Sequence, residues 1–108
     1  MKKVKAESWD NISVHVPVIS HEVGQYAVFP DFDEIKDYTG PVRHEAYAAY
    51  KKGLEDAGML HRWKDFFHAS GALAVDCYRR DIEAAMRSSM MSGFQLLDIQ
   101  DFPGQGVA

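Results

Sequence analysis

Hydrophobic and polar positions alternate near the N-terminus. Ile12, Val14, Val16 and Val18 interleave with Ser13, His15 and Pro17, the period-two signature of a half-buried strand. Pro17 brings no N–H to a ladder and fits only a sheet edge or a strand's first residue. The strand itself is therefore expected over 17–22, with Asn11–Val16 as an extended lead-in. Phe29-Pro30 then breaks the chain. Asp31 has the character of a helix N-cap, with Glu34 three residues on completing a capping-box pattern. This predicts a short helix over 31–38, closed by Thr39-Gly40-Pro41.

The period then becomes helical. Tyr47, Tyr50, Leu54 and Ala57 recur on one face of a predicted helix over 42–57, while Lys51, Lys52, Glu55 and Asp56 face away. Gly58 is a fitting residue just past its end. A second helical stretch over 60–69 carries Leu60, Trp63, Phe66 and Phe67, and Ser70-Gly71 either caps a new helix or bends a continuous one. The third, over 72–88, is expected to bury Val75, Tyr78, Ile82, Ala85 and Met86 and to expose Arg79, Arg80, Asp81, Glu83 and Arg87. Phe94, Leu96, Leu97 and Ile99 form a closing strand. Strand, helices, strand with a long connection favours parallel pairing through a right-handed crossover, the unit of an α/β barrel. The fold class expected is α/β and helix-rich, in one segment spanning 1–108.

At 108 residues the chain makes one small core, whereas a complete (β/α)8 barrel needs about 250 residues. Hydrophobic residues at 46% and aromatic residues at 12% are too many for a disordered chain. A net charge of -4 with scattered Lys and Arg argues against nucleic acid as a partner. Lys2, Lys3 and Lys5 are followed by Glu7, Asp10 and Asn11 rather than by an apolar region, so they do not open an export signal. No stretch approaches the ~18 apolar residues of a membrane span. The single cysteine, Cys77, leaves no intrachain disulfide, and neither redox compartment nor localisation is legible.

Two segments carry candidate chemistry. Pro17-Val18-Ile19-Ser20-His21-Glu22-Val23-Gly24-Gln25-Tyr26 is a short apolar strand ending in a carboxylate and a glycine turn. Gly93-Phe94-Gln95-Leu96-Leu97-Asp98-Ile99-Gln100-Asp101-Phe102-Pro103-Gly104-Gln105-Gly106 has the same build. Both resemble the last two barrel strands of glycoside hydrolase family 2, the β-galactosidase/β-glucuronidase-like enzymes, particularly divergent members common in gut Bacteroidetes. The resemblance covers His21–Pro30 and Ser92–Gly106. It implies a C-terminal fragment of a (β/α)8 TIM barrel from a retaining enzyme that cleaves β-linked carbohydrates.

Retaining glycosidases use two carboxyl groups, a nucleophile and an acid/base, about 5–5.5 Å apart. The family's nucleophile is a glutamate at the end of the seventh strand, closely followed by glycine, and Glu22 in Ser20-His21-Glu22-Val23-Gly24 is the matching position. Val23 stands where the family usually has an aromatic residue. The family's acid/base glutamate lies in an Asn-Glu pair on the fourth strand, and no such pair occurs here, so the resemblance implies a piece inactive in isolation. His21 either binds a sugar hydroxyl beside Glu22 or points to the other face of the strand. Gln25 and Tyr26 would line the sugar subsite, Tyr26 by stacking on a pyranose ring, although it equally suits a core. Asp98, Gln100 and Asp101 either bind sugar hydroxyls at the barrel's top face or cap the turn at Pro103-Gly104. No cofactor is implied.

Other chemistries are poorly supported. His21-Glu22-Val23-Gly24-Gln25 and His44-Glu45-Ala46-Tyr47-Ala48 begin like a zinc-protease helix but lack its second histidine. His61 and His68 have no third clustered ligand, and Cys77 among Ala74, Val75 and Tyr78 suits a small buried apolar role. The alternative to an enzyme piece is a non-catalytic helical module that self-associates through its strand segments. An opened barrel exposes strand edges, so a homo-oligomer is expected on either reading, with Gly58 and Ser70-Gly71 as hinges for exchange.

Overall fold

A computed structural model describes residues 14–41 and 45–97; the expectations at Asp98, Gln100 and Asp101, and the lead-in before Val14, lie outside the described residues. The elements are strand β1 (Val18–Val23), a 3-10 turn over Phe32–Asp37, helix α1 (Glu45–Asp56), a 3-10 turn over Leu60–Arg62, helix α2 (Trp63–Arg87) and strand β2 (Met91–Leu96). Two compact units result. One contains the described residues up to Gln25 together with Val75–Leu97; the other is formed from Tyr26–Ala74. Helix α2 contributes to both.

In the first unit β1 and β2 pair in parallel as a two-stranded sheet, the pairing expected for strands joined by a long helical connection. β1 begins one residue after Pro17, which consequently donates to no ladder. Val14–Val16 form no strand. β2 starts earlier than the apolar run 94–99 suggested, with Met91, Ser92 and Gly93 already extended. The buried residues here are Val23, Ala84, Ala85 and Ser88. Ser88 satisfies its hydroxyl by donating to the Ala84 carbonyl at 2.8 Å, which caps one of the orphan acceptors at the end of α2.

The expectation that α2 buries Val75 and Met86 fails: they are 67% and 75% exposed. Ala85 is buried as expected, beside Ala84, and Tyr78 and Ile82 are half-buried. Small residues let a helix approach its neighbour closely, and a periodicity of large apolar residues alone does not reveal which flank does so. Apolar Ile19, Phe94 and Leu96 are also exposed on the strands, whereas parallel sheets are ordinarily covered on both faces.

In the second unit Asp31 caps the 3-10 turn, its carboxylate accepting from the Asp33 amide at 2.8 Å. α1 ends in a Schellman motif. Gly58, at φ 67, donates to the Glu55 carbonyl and Met59 to that of Leu54, as a left-handed residue one past the helix allows. Tyr47 is the buried face of α1, its ring edge-on to Tyr38. Tyr50, expected on the same face, is 55% exposed. Phe29 contacts the rings of Phe32, Tyr50 and Phe66, and Trp63 lies against Phe32.

Ser70-Gly71 neither starts nor breaks a helix. The Ser70 hydroxyl donates back to the Phe66 and Phe67 carbonyls and accepts the Phe29 amide at 2.8 Å. Back-bonding lets serine sit inside a helix, and here it also pairs a loop N–H that would otherwise be orphaned.

Candidate functional site

Glu22 lies at one of two irregular points of the sheet. Ser20 pairs with Phe94 and Val23 with Leu96, so His21 and Glu22 on β1 oppose the single residue Gln95 on β2. This two-for-one register is a β-bulge, which re-aims side chains and interrupts the pleat. Glu22 has φ 53, and no other described non-glycine residue has positive φ. The alternation of burial along β1 breaks at the same place: Glu22 is half-buried and Val23, next to it, is buried.

The bulge brings together groups that a regular strand would separate. Neighbours in a strand point to opposite faces, yet His21 Nε2 stands 3.1 Å from Glu22 Oε1. The other carboxylate oxygen, Oε2, accepts from Gln25 Nε2 at 2.8 Å. Gly24, at φ 100, makes the turn that returns Gln25 to Glu22; few other residues hold that backbone. His21 Nδ1 in turn meets Gln95 Oε1 at 3.0 Å. The result is a chain of contacts, Gln95–His21–Glu22–Gln25, drawn from both strands.

Magnitudes bear on why it exists. A left-handed non-glycine residue costs roughly 1–2 kcal/mol. The His21 and Glu22 side chains are 67% and 39% exposed, and exposed pairs of this kind contribute about 0–1 kcal/mol. That pair alone does not exceed the backbone cost; the further hydrogen bonds of Gln25 and Gln95, each worth about 0.5–1.5 kcal/mol net, bring the contacts to the same size as the strain. Chemically the arrangement holds an acceptor-only carboxylate in one orientation. Oε2 has an amide donor, Oε1 faces a ring nitrogen of His21, and each retains a further lone pair toward a ligand.

Of the remaining expected site residues, Tyr26 is half-buried and belongs to the second compact unit, and Gln25 is exposed beside Glu22. Gln95 was not singled out by the sequence. It lies between Phe94 and Leu96 like any polar residue of an alternating strand, and only the bulge opposite gives it a partner. Among the described residues no group of three or more His, Cys, Asp or Glu is placed to hold a metal, and His61 and His68 are both exposed. Cys77 is a half-buried free thiol. No helix among the described residues is long and apolar enough to cross a membrane. A separate apolar groove of about 540 Å³ in the second unit is lined by Phe29, Ala46, Ala49, Tyr50, Gly53 and Leu54.

No protein-family model matches the chain, and a search of curated proteins finds no match.

Proposed function

We propose that this chain is part of the catalytic barrel of a retaining β-glycosidase, with Glu22 as nucleophile. The observation that carries the reading is the strained bulge at Glu22, which ends a parallel strand and holds a carboxylate by both oxygens. Uncommon backbone conformations persist where they serve a site, and strand ends are where barrels of this class place their chemistry. The resemblance of the two strand segments to glycoside hydrolase family 2 supports the same assignment.

In this mechanism a Glu22 oxygen attacks the anomeric carbon of a β-linked sugar and the glycosidic bond breaks. A second carboxyl group protonates the departing oxygen. The glycosyl ester on Glu22 is then hydrolysed by water, which the second group deprotonates. The partner glutamate would come from an Asn-Glu strand outside this sequence, and β1 and β2 would be adjacent strands of the barrel. His21 and Gln25, beside Glu22, would serve the sugar subsite.

The test uses the complete enzyme containing this segment. Glu22→Ala should abolish hydrolysis of aryl β-glycosides while leaving the protein folded, and azide should restore part of the turnover by replacing the carboxylate. Retention of most of kcat, or labelling of another residue by a mechanism-based fluorosugar, overturns the assignment. The 108-residue chain by itself should show no turnover above buffer.

A second reading is favoured by the exposed Ile19, Phe94 and Leu96 on the strand pair: a non-catalytic module that associates with a copy of itself through those strands. Glu22→Ala would then change no catalytic rate.

A further inference from the structure

The bulge sets one residue of β2, Gln95, against two of β1, His21 and Glu22. Gln95 contacts the imidazole nitrogen that faces away from the carboxylate: Nδ1 meets Gln95 Oε1 at 3.0 Å, and Nε2 meets Glu22 Oε1 at 3.1 Å. For Nε2 to donate to the carboxylate it must carry a proton, and what Nδ1 does then depends on the ring's charge. In the imidazolium both nitrogens donate, and an amide oxygen is the right partner for Nδ1. In the neutral Nε2–H form Nδ1 accepts, and the same amide supplies an N–H after a half-turn about its last torsion. A glutamine is therefore compatible with Nε2–H facing Glu22 in both charge states. A carboxylate can only accept from Nδ1, and an apolar side chain can do neither.

We infer that Gln95 is a positioning residue for Glu22 that acts through His21, an assignment that rests on the nucleophile reading above. Gln95 holds the imidazole from β2, the imidazole faces Oε1, and Gln25 holds Oε2 at 2.8 Å. The carboxylate is thereby confined to one rotamer before substrate arrives, the pre-organisation that an attacking group requires. The pairing register makes this a property of the sheet: the two strands must be aligned for Glu22 to be aimed.

Gln95 is exposed, so its substitution leaves the core untouched. In the 108-residue chain, long-range proton–nitrogen correlation spectra of the His21 ring report the partner of each nitrogen. Gln95→Met should shift the Nδ1 resonance toward that of a free imidazole, whereas an unchanged His21 spectrum overturns the inference. In the complete enzyme, Gln95→Met should lower kcat about two- to tenfold, the range of one ordinary hydrogen bond, with KM nearly unchanged. His21→Phe should cause a similar loss, and the double variant should lose no more than either single one, because the two act in series. Gln95→Glu, which still accepts from Nδ1, should keep more kcat than Gln95→Met. Additive losses, or an unaffected kcat in Gln95→Met where Glu22→Ala is inactive, overturn the positioning role alone. An active Glu22→Ala enzyme removes the nucleophile to be positioned and overturns both readings.

Discussion

The ring of Tyr78 on α2 occupies the space that a side chain at Gly24 would need. A Cβ at position 24 would stand 2.9 Å from Tyr78 Cζ and overlap the neighbouring ring carbons. Gly24 also has φ 100, so two independent constraints exclude other residues: backbone conformation and the approach of an aromatic ring. The same glycine turns the chain that brings Gln25 back to Glu22. Packing of the helix and geometry of the carboxylate thus meet at one position.

Gly24→Ala should cost about 2–4 kcal/mol, the sum of left-handed strain and overpacking. Urea denaturation measures the loss. Tyr78→Ala should relieve the overlap but not the strain, so Gly24→Ala should cost less in that background. An equal cost in both backgrounds would show that the ring contact contributes nothing.

Ser70→Ala should cost about 1–3 kcal/mol, since the part-buried Phe29 amide loses its acceptor. Amide exchange at Phe29 should accelerate more than at neighbouring positions. Ser70→Thr keeps the hydroxyl and should restore protection. Unchanged exchange in Ser70→Ala would mean that the bond is not formed in solution.

Acid should loosen the last turns of α2. The Glu83 carboxyl is held below its ordinary value, first by the hydrogen bond from Arg79 and then by that from Arg87, and the Arg79 guanidinium is raised by the same contact. A depressed carboxyl contributes stability above its unfolded value and loses it as pH falls through the folded one. Arg79 is exposed and Glu83 half-exposed, so the effect is small and screened by salt. Amide protection near Arg87 should fall on acidification below the usual carboxylate range, less so in Glu83→Gln. The difference between the two proteins should vanish in high salt.

The isolated chain should self-associate. A parallel strand pair with Ile19 60% and Leu96 43% exposed offers apolar surface beside a strand edge to a second copy. Light scattering over a dilution series should show a dimer or larger species. Ile19→Lys should shift it toward monomer, since a charge on an exposed strand opposes edge pairing. A monomer at every concentration, unfolding cooperatively, contradicts this expectation.

Local chemistry was sufficient for several features of this chain. Pro17 cannot donate to a ladder and marks the start of β1; Asp31 caps the turn that follows; Gly58 takes the left-handed position that ends α1. Each depends on the conformational limits of one residue or on a side chain reaching its own backbone, and these travel with the sequence. The flank of α2 that is buried, the role of Ser70 and the partners of Glu22 were decided elsewhere. Ala84 and Ala85 are buried while Val75 and Met86 are exposed, because the rest of the fold, and not the helix's own periodicity, selects the flank that is covered. Ser70 continues the helix because a loop amide 41 residues away in sequence needs its hydroxyl. Glu22 meets His21, and His21 meets Gln95, because two strands far apart in the chain pair with a bulge that sets two residues of β1 against one of β2. Strand register is a relation between segments, and no window of sequence contains both.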